Sequence, residues 1–216
     1  MDIYVDATYS NTEVAEECMN DIITAMEVTA GSRGTVKFHT FDGDPFRRRG
    51  ISKNFGEEAL PGDVKGTSGE VEYLEGQARD LEPELQQLID EKPTVPGTPL
   101  IDLLERASRH MSGSPAFNRI LICTDGLFTD VNPVEMSAAE ARSAGEELPS
   151  SLTGITVDFI GLDGSAPDRG RRIEKTKPLV DALLAGASAK RGVWDLELGP
   201  DWRGELIAAV DSTGNA

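Results

Sequence analysis

Oxygen-bearing side chains stand at regular spacing just after the first apolar run of the sequence. Asp6, Thr8 and Ser10 are each separated by one residue, so in a turn that leads from a strand into a helix their oxygens can face one point. Carboxylate and hydroxyl oxygens are ligands that hard divalent cations such as Mg²⁺ accept. The same residue types also cap ordinary helix N-termini, so this motif alone is weak evidence for a cation site.

Two later segments supply oxygen ligands of the same kind. Asp125 follows the apolar run 119–124, and Thr98 stands between Gly97 and Pro99. If the apolar runs are strands of a parallel sheet, their carboxyl ends meet at one edge, where open α/β sheets bind ligands. The sequence therefore predicts one metal site with these ligands: Asp6, Thr8, Ser10, Thr98 and Asp125.

The mixture of ligands decides what such a site can do. Carboxylates in direct contact neutralise a dication, whereas hydroxyl groups leave most of its charge in place. A site with several hydroxyl ligands therefore keeps an attraction for an outside anion, such as the Asp or Glu carboxylate of a partner protein. We expect Mg²⁺ as the cofactor, with Mn²⁺ or Ca²⁺ as alternatives.

The elements that must position these residues follow an alternating pattern. Short apolar runs rich in β-branched residues alternate with longer segments of helical periodicity, which is typical of a mostly parallel sheet covered by helices on both faces. Strands are predicted over 3–6, 36–41, 119–124, 155–162 and 193–198. Helices are predicted from Thr12 to the stop at Gly31, and over 81–89, 100–111, 133–143, 178–187 and 202–210.

The length favours one domain. A chain of 216 residues with 38% hydrophobic residues can bury one substantial core, so we expect a single domain over 1–216. The segment from about 43 to 97 is the least readable, because glycines and charges interrupt its periodicity. It is interpreted as an insertion that holds a short hairpin or edge strand near 71–74.

Charge narrows the range of partners. The 38 acidic and 21 basic residues give a formal net charge of −17, which argues against nucleic acid because a phosphate backbone would be repelled. The same field attracts cations, although most of the acidic excess is explained as a solubilising surface. We therefore expect an acidic protein whose partner is another protein.

Cellular location and cysteine state are less constrained. No stretch reaches the roughly 18 to 20 apolar residues of a spanning helix, and as given the chain would stay in the cytoplasm. The first strand begins two residues after Met1, so an upstream signal or anchor in a longer protein is the alternative.

Cys18 and Cys123 fall in apolar runs, where we expect free core thiols, with a mutual disulfide as the alternative.

The sequence offers little for catalysis. His39 and His110 are the only histidines, and neither has a Cys or a second His at metal-ligand spacing, which argues against zinc. Neither a Gly-x-Ser-x-Gly nucleophile motif nor a glycine-rich phosphate loop occurs. We therefore expect a non-enzymatic protein.

The order and spacing of the three segments resemble the von Willebrand factor A (VWA) domains with their metal-ion-dependent adhesion site (MIDAS), whose pattern is Asp-x-Ser-x-Ser, then Thr, then Asp. The matching residues are Asp6, Thr8, Ser10, Thr98 and Asp125. The resemblance implies a three-layer α-β-α Rossmann-like fold with a mostly parallel central sheet and one antiparallel edge strand, for which 71–74 is the candidate. It also implies a cation-dependent adhesion or interaction module, in which hydroxyls touch the metal and the aspartates act partly through water.

Some positions depart from the family pattern or add to it. Thr8 stands where the family commonly has Ser, and its methyl group restricts the rotamers of the hydroxyl. Tyr9 is large where a small residue is frequent, and we interpret it as a shield over the metal loop rather than a gate. Four further acids near strand ends are interpreted as solvated loop residues: Asp42, Asp44, Asp130 and Asp163.

Two other functions compete with the binding module. A magnesium-dependent phosphatase of the haloacid-dehalogenase kind would also begin with a strand-tip Asp, but it requires a second Asp where Thr8 stands. A scaffold subunit of an intracellular complex would use the same fold without its metal. Removal of metal and a phosphatase assay separate the three hypotheses.

Overall fold

The computed structural model describes residues 1–8, 12–45, 50–91, 93–110, 119–162, 167–205 and 207. The strands are β1 (Asp2–Asp6), β2 (Thr35–Phe41), β3 (Gly50–Asn54), β4 (Arg119–Cys123), β5 (Thr156–Ile160) and β6 (Lys190–Trp194). The helices are α1 (Thr12–Glu17), α2 (Met19–Gly31), α3 (Glu70–Arg79), α4 (Glu82–Ile89), α5 (Leu100–His110), α6 (Ala138–Glu147) and α7 (Pro167–Gly186). Single 3-10 turns lie at Glu57–Ala59 and Ser150–Leu152.

The six strands form one sheet in the order β3-β2-β1-β4-β5-β6. β1 pairs in parallel with β2 and β4, and β4, β5 and β6 continue in parallel, whereas β3 runs antiparallel to β2 at one edge. Both central strands and their neighbours therefore end at the same rim. This arrangement confirms the predicted fold class, a mostly parallel Rossmann-like sheet with one antiparallel edge strand.

Helices cover both faces of the sheet. Ile3 and Val5 of β1 point to one face and pack with buried side chains of α1, α2, α3 and α4. Tyr4 points to the opposite face and packs with buried side chains of α5, α6 and α7. This alternation follows from the two-residue period of a strand, and it explains why central strands with both faces covered are apolar throughout.

The predicted position of the edge strand is wrong. Residues 71–74 lie in α3, where Leu74 and Ala78 are buried four residues apart on one face of the helix. The edge strand is β3, whose residues are alternately exposed and half-buried. Its sequence, Gly50 to Asn54, lacks an apolar run because an edge strand with a solvent-facing side buries little.

Two predicted helices also differ in their bounds. The helix predicted from Thr12 is divided at Cys18 into α1 and α2. α6 begins at Ala138 rather than Pro133, because Ser137 and Glu140 form a capping box. In it the Ser137 hydroxyl accepts a hydrogen bond from the Glu140 N–H, 3.3 Å away, and the Glu140 carboxylate accepts one from the Ser137 N–H, 2.8 Å away.

The last third of the chain contains further differences in element bounds. α7 begins at Pro167, well before the predicted start at Pro178, and continues through that proline. β6 ends at Trp194, whereas the strand was predicted over 193–198. The predicted closing helix is present over 202–205.

Two glycines bring α6 and α7 into backbone contact. A Cβ on Gly145 of α6 would lie 2.0 Å from the Leu183 carbonyl oxygen, and a Cβ on Gly186 of α7 would lie 2.1 Å from the Arg142 carbonyl oxygen. No side chain larger than hydrogen fits at either position without displacing a helix backbone. The two helices therefore pack closer than ordinary side chains allow.

The expectation of free thiols is wrong. Cys18 and Cys123 form a disulfide with a Cα–Cα distance of 6.3 Å, and both side chains are buried. Sequence alone could not give this result, because 105 positions separate the two cysteines and only the fold brings Cys18 against β4.

In the described parts of the chain, no helix is both long enough and apolar enough to cross a bilayer.

Candidate functional site

Asp6 is the centre of a buried polar cluster at the carboxyl rim of the sheet. It is the last residue of β1 and has no exposed surface. Its Oδ1 accepts a hydrogen bond from the Thr8 N–H at 3.0 Å, and the Thr8 side chain forms another hydrogen bond with the carboxylate. The turn that follows β1 is thus folded back on the carboxylate of Asp6.

The other carboxylate oxygen of Asp6 joins the two remaining segments. Its Oδ2 accepts a hydrogen bond from the Thr98 hydroxyl at 3.0 Å and one from the Thr124 hydroxyl at 3.1 Å. Thr98 precedes α5, and Thr124 follows β4, which runs parallel to β1. Three segments that are far apart in sequence therefore meet at one carboxylate.

Asp125 places a second carboxylate beside this cluster. Its side chain is 1% exposed, and its Oδ1 accepts a hydrogen bond from the Leu127 N–H at 3.0 Å. Its Oδ2 is buried and has no hydrogen-bond partner among the described residues. A buried carboxylate oxygen without a donor is costly, and a cation is one group that would satisfy it.

The electrostatics of the cluster reflect its burial. The pKa of Asp6 is raised to about 6, mainly by burial and in part by the negative charge of Asp125, while hydrogen bonds from Thr8 and Thr98 oppose the shift. Two carboxylates near each other in a buried site disfavour the state in which both are charged. A divalent cation would remove that repulsion.

Hydrogen bonds beside this cluster join the segment that contains Thr98 to the loop that follows Asp125. The Thr129 N–H donates to the Thr98 carbonyl at 3.0 Å. Asp130 accepts hydrogen bonds from the Leu100 N–H at 2.8 Å and the Ile101 N–H at 2.7 Å, so it caps the first turn of α5. The interpretation of Asp130 as a solvated loop acid is therefore wrong.

Asp42 anchors the approach to Thr98 from the end of β2. Its Oδ2 accepts hydrogen bonds from the Thr94 N–H at 2.8 Å, the Thr94 hydroxyl at 3.1 Å and the Val95 N–H at 3.3 Å. Asp42 has no exposed surface, which corrects its interpretation as a solvated acid. Its carboxylate instead positions the segment that leads to Thr98. Asp163 lies outside the described residues.

The structure brings four of the predicted site residues together. Asp6, Thr8 and Thr98 are joined by hydrogen bonds, and Asp125 lies close enough for its charge to act on Asp6. Ser10 and the adjacent Tyr9 lie outside the described residues, so both assignments stay predictions.

Sequence reasoning missed the role of Thr124. This residue donates to Asp6 and has no exposed surface. Its signal was its place at the end of a strand next to β1, one position before a predicted ligand. Among the described residues, no three His, Cys, Asp or Glu side chains gather at one point; the cluster around Asp6 consists of two carboxylates and neutral hydroxyls.

Comparisons with known proteins add only a likeness of overall fold. Neither a protein-family profile nor a curated protein matches the sequence. An aerotolerance-related membrane protein from Bacteroides fragilis NCTC 9343, with multiple mutations to serines, is 15% identical with a TM-score of 0.45, and the match covers 98% of each chain. The pilus adhesin SpaC from Lactobacillus rhamnosus GG, in an open conformation, is 12% identical with a TM-score of 0.46, and the match covers all of this chain and 29% of the adhesin. At these identities and TM-scores, neither likeness carries an argument about the site.

Proposed function

We propose that this protein is a divalent-cation-dependent protein-binding module of the von Willebrand factor A type, without enzymatic activity. Mg²⁺ is the preferred cation, held by Asp6, Thr8, Thr98 and Asp125, with Ser10 as a further ligand from the sequence pattern. The cation binds an acidic side chain of a partner protein. This proposal joins the resemblance of the motif to the geometry of the buried cluster.

The observation that carries the proposal is the buried Asp125 Oδ2, which lacks a hydrogen-bond donor among the described residues. It lies beside a second buried carboxylate, Asp6, whose pKa is raised by burial and by the charge of Asp125. A site that gathers two acids and surrounds them with hydroxyls is costly when empty of positive charge. It fits a hard cation, which accepts both kinds of oxygen.

The predicted ligands also indicate which chemical group the partner presents. The hydroxyls of Thr8 and Thr98 add oxygen contacts but no negative charge, and aspartates that act partly through water would leave part of the charge of the dication uncompensated. Mg²⁺ in such a shell keeps exchangeable water positions, and an outside carboxylate can replace one of those waters. The partner is therefore expected to present Asp or Glu.

Cation binding is tested by thermal unfolding in EDTA and in Mg²⁺ or Mn²⁺. At about 100 times the dissociation constant, a ligand that binds only the folded state stabilises it by about 2.7 kcal/mol. For a chain of this size we expect the melting temperature to rise on the order of 5 to 10 °C. Identical melting curves would refute the metal site.

A matched pair of variants at Thr98 tests the ligand assignment. Thr98→Val keeps the shape of the side chain but removes the hydroxyl, and it should weaken Mg²⁺ binding by about tenfold or more in calorimetry. Thr98→Ser keeps the hydroxyl and should bind Mg²⁺ nearly as well as the wild type. Equal affinities for all three proteins would remove Thr98 from the ligand set.

Carboxylate recognition and the competing functions are separated by two further assays. A short peptide with one Glu should bind in Mg²⁺ but not in EDTA, whereas its Gln counterpart should not bind in either condition. Hydrolysis of an aryl phosphate that is abolished by Asp6→Asn would instead favour a phosphatase. Partner capture that survives both EDTA and Thr98→Val would favour a scaffold without metal.

A further inference from the structure

We infer that the Cys18–Cys123 disulfide is a positioning crosslink for the cation site, an inference that rests on the proposed function. It would hold the junction of α1 and α2 against the end of β4, the strand that precedes Thr124 and Asp125. The cation affinity of the oxidised protein therefore depends on this bond. The sulfur atoms touch no cation themselves, so Cys18 and Cys123 act through the residues that they fasten.

One end of the crosslink lies directly beneath the site. Cys123 is the last residue of β4 and is followed by Thr124, which donates to Asp6, and then by Asp125. In the parallel register Cys123 lies opposite Val5, the residue before Asp6. The bond is thus attached one residue from the hydrogen bond that joins the first and third segments.

The other end fixes the helix that follows the first ligand segment. Cys18 lies between α1 and α2, where its N–H donates to the Val14 carbonyl at 2.9 Å and its carbonyl accepts from the Ile22 N–H at 2.9 Å. Cys18 is therefore held in continuous helical hydrogen bonding on both sides. α1 has only six residues and is joined to α2 through these hydrogen bonds, which do not attach either helix to the sheet. The disulfide supplies a covalent attachment to the central sheet.

The segment that follows β5 also packs against the disulfide. Gly161 follows β5 with a φ of +82°, and a Cβ at this position would lie 3.0 Å from the Cys18 sulfur and 2.4 Å from Val14 Cγ1. The backbone of the segment after β5 therefore lies directly against the side chains of Val14 and Cys18. Because both sulfurs are buried in this packing, the crosslink has little freedom to move.

A crosslink at this place restricts relative movement of the ligand segments. Metal ligands must be held within a few tenths of an ångström of the productive geometry, and the segments after β1 and β4 contribute ligands to the same cation. Without the bond, only non-covalent packing fixes α1 against β4. The protein should therefore reach its full cation affinity after folding under oxidising conditions, where disulfides form.

The experiment measures the Mg²⁺ dissociation constant by calorimetry, beside melting temperatures in EDTA, for the oxidised wild type and two double variants. Cys18→Ala/Cys123→Ala removes the bond, and Cys18→Ala/Cys123→Val also refills part of the lost volume. We expect both variants to bind Mg²⁺ about tenfold more weakly than the wild type. A thiol count on the unfolded, unreduced wild type should find no free thiol, and two free thiols would overturn the inference.

A matched control separates positioning from general stability. Leu85→Ala in α4 opens a cavity at a fully buried position that belongs to none of the ligand segments. It should lower the melting temperature in EDTA as the double variants do, but its Mg²⁺ dissociation constant should stay within about twofold of the wild-type value. If Leu85→Ala weakens binding as much as loss of the disulfide does, the bond acts only through stability and the inference fails.

The remaining outcomes are distinguishable. A wild type that binds Mg²⁺ together with double variants that bind it equally well overturns the crosslink inference and leaves the proposed function in place. A wild type that binds no Mg²⁺ removes the proposed function, and the inference falls with it. Circular dichroism of each variant establishes that the folded state is being compared.

Discussion

At the scale of single residues, the site is defined by two buried acids that share one small volume. Asp6 has no exposed surface and Asp125 has 1%, and the charge of Asp125 contributes to the raised pKa of Asp6. Without a cation these carboxylates oppose folding, because ionised groups are poorly solvated in a protein interior. With a cation the same burial strengthens binding, since the local dielectric is low.

We predict that Asp6→Asn has opposite effects with and without metal. Because burial raises the folded pKa of Asp6 to about 6, stability that is present below about pH 4 is lost as the pH rises through 6 in the cation-free protein. Asparagine keeps an oxygen for the Thr8 N–H but cannot ionise. In EDTA at pH 8, the variant should therefore equal or exceed the wild type in unfolding free energy, by up to about 3 kcal/mol.

Chemical unfolding at pH 4 and pH 8, in EDTA and in Mg²⁺, measures both effects. In Mg²⁺ the order should reverse, because the variant loses a ligand and gains no stability from the ion. Thr24→Ser, at a hydroxyl that bonds the Asn20 carbonyl in α2, serves as a control away from the site. A variant that is less stable than the wild type in EDTA at pH 8 would contradict the electrostatic account.

At the scale of elements, local patterns identified the strands that carry the predicted ligands but not the contacts that fix the loops. β4 was predictable because both of its faces are buried and its sequence is therefore apolar throughout. β3 was not, because its place comes from pairing with β2 at an edge. The attachment of Thr94 to Asp42 spans 52 residues, and no periodicity in the sequence records it.

The candidate site likewise contains residues that local sequence indicates and residues that only the fold reveals. Asp6, Thr98 and Asp125 could be proposed because they stand at the ends of readable elements. Thr124 could not be separated from an ordinary strand residue until the register of β1 and β4 placed it beside Asp6. The disulfide needed the same register. Motif spacing thus predicted candidate ligands, whereas the contacts that position them could be recognised only from the fold.

We predict that Asp42→Asn weakens cation binding from a distance. Burial alone would raise the pKa of Asp42, but hydrogen bonds donated by Thr94, Asp44 and Val95 outweigh it, so its pKa lies below the usual value. An amide must turn an N–H₂ group toward one of these donors. We expect a loss of about 2 kcal/mol in unfolding free energy at pH 7 and a Mg²⁺ dissociation constant raised severalfold, because the segment before Thr98 loses its anchor.

The pH dependence gives this prediction a second measurement. Because the folded pKa of Asp42 is depressed, its stabilising effect is present above about pH 4 and is lost as the pH falls through the folded pKa. The difference between wild type and Asp42→Asn should therefore shrink in acid. Asp80→Asn, at an exposed acid after α3, should change neither quantity. An equal effect of both substitutions would show that general charge, not the anchor, is responsible.

At the scale of the whole molecule, the net charge of −17 surrounds the site with a negative potential. Such a field raises the local concentration of cations and opposes the approach of an acidic partner. A bound dication locally reverses that opposition. Metal binding and partner binding should therefore be coupled through the charge of the entire surface as well as through the ligand shell.

We predict that Mg²⁺ affinity falls as ionic strength rises. The Debye length shortens from about 30 Å at 0.01 M to about 10 Å at 0.1 M salt, so distant carboxylates stop contributing to cation attraction. Over this range, calorimetry should give a dissociation constant weakened on the order of three- to tenfold. A large organic cation as the chloride salt avoids competition by Na⁺ for the site. A constant affinity would mean that only the immediate ligands matter.

The glycine contact between α6 and α7 has a mechanical consequence. With Gly145 and Gly186 each lying against the backbone of the opposite helix, sliding α7 along α6 by even one residue would bring a side chain into a space that holds only hydrogen. This close backbone contact therefore opposes sliding of α7 along α6.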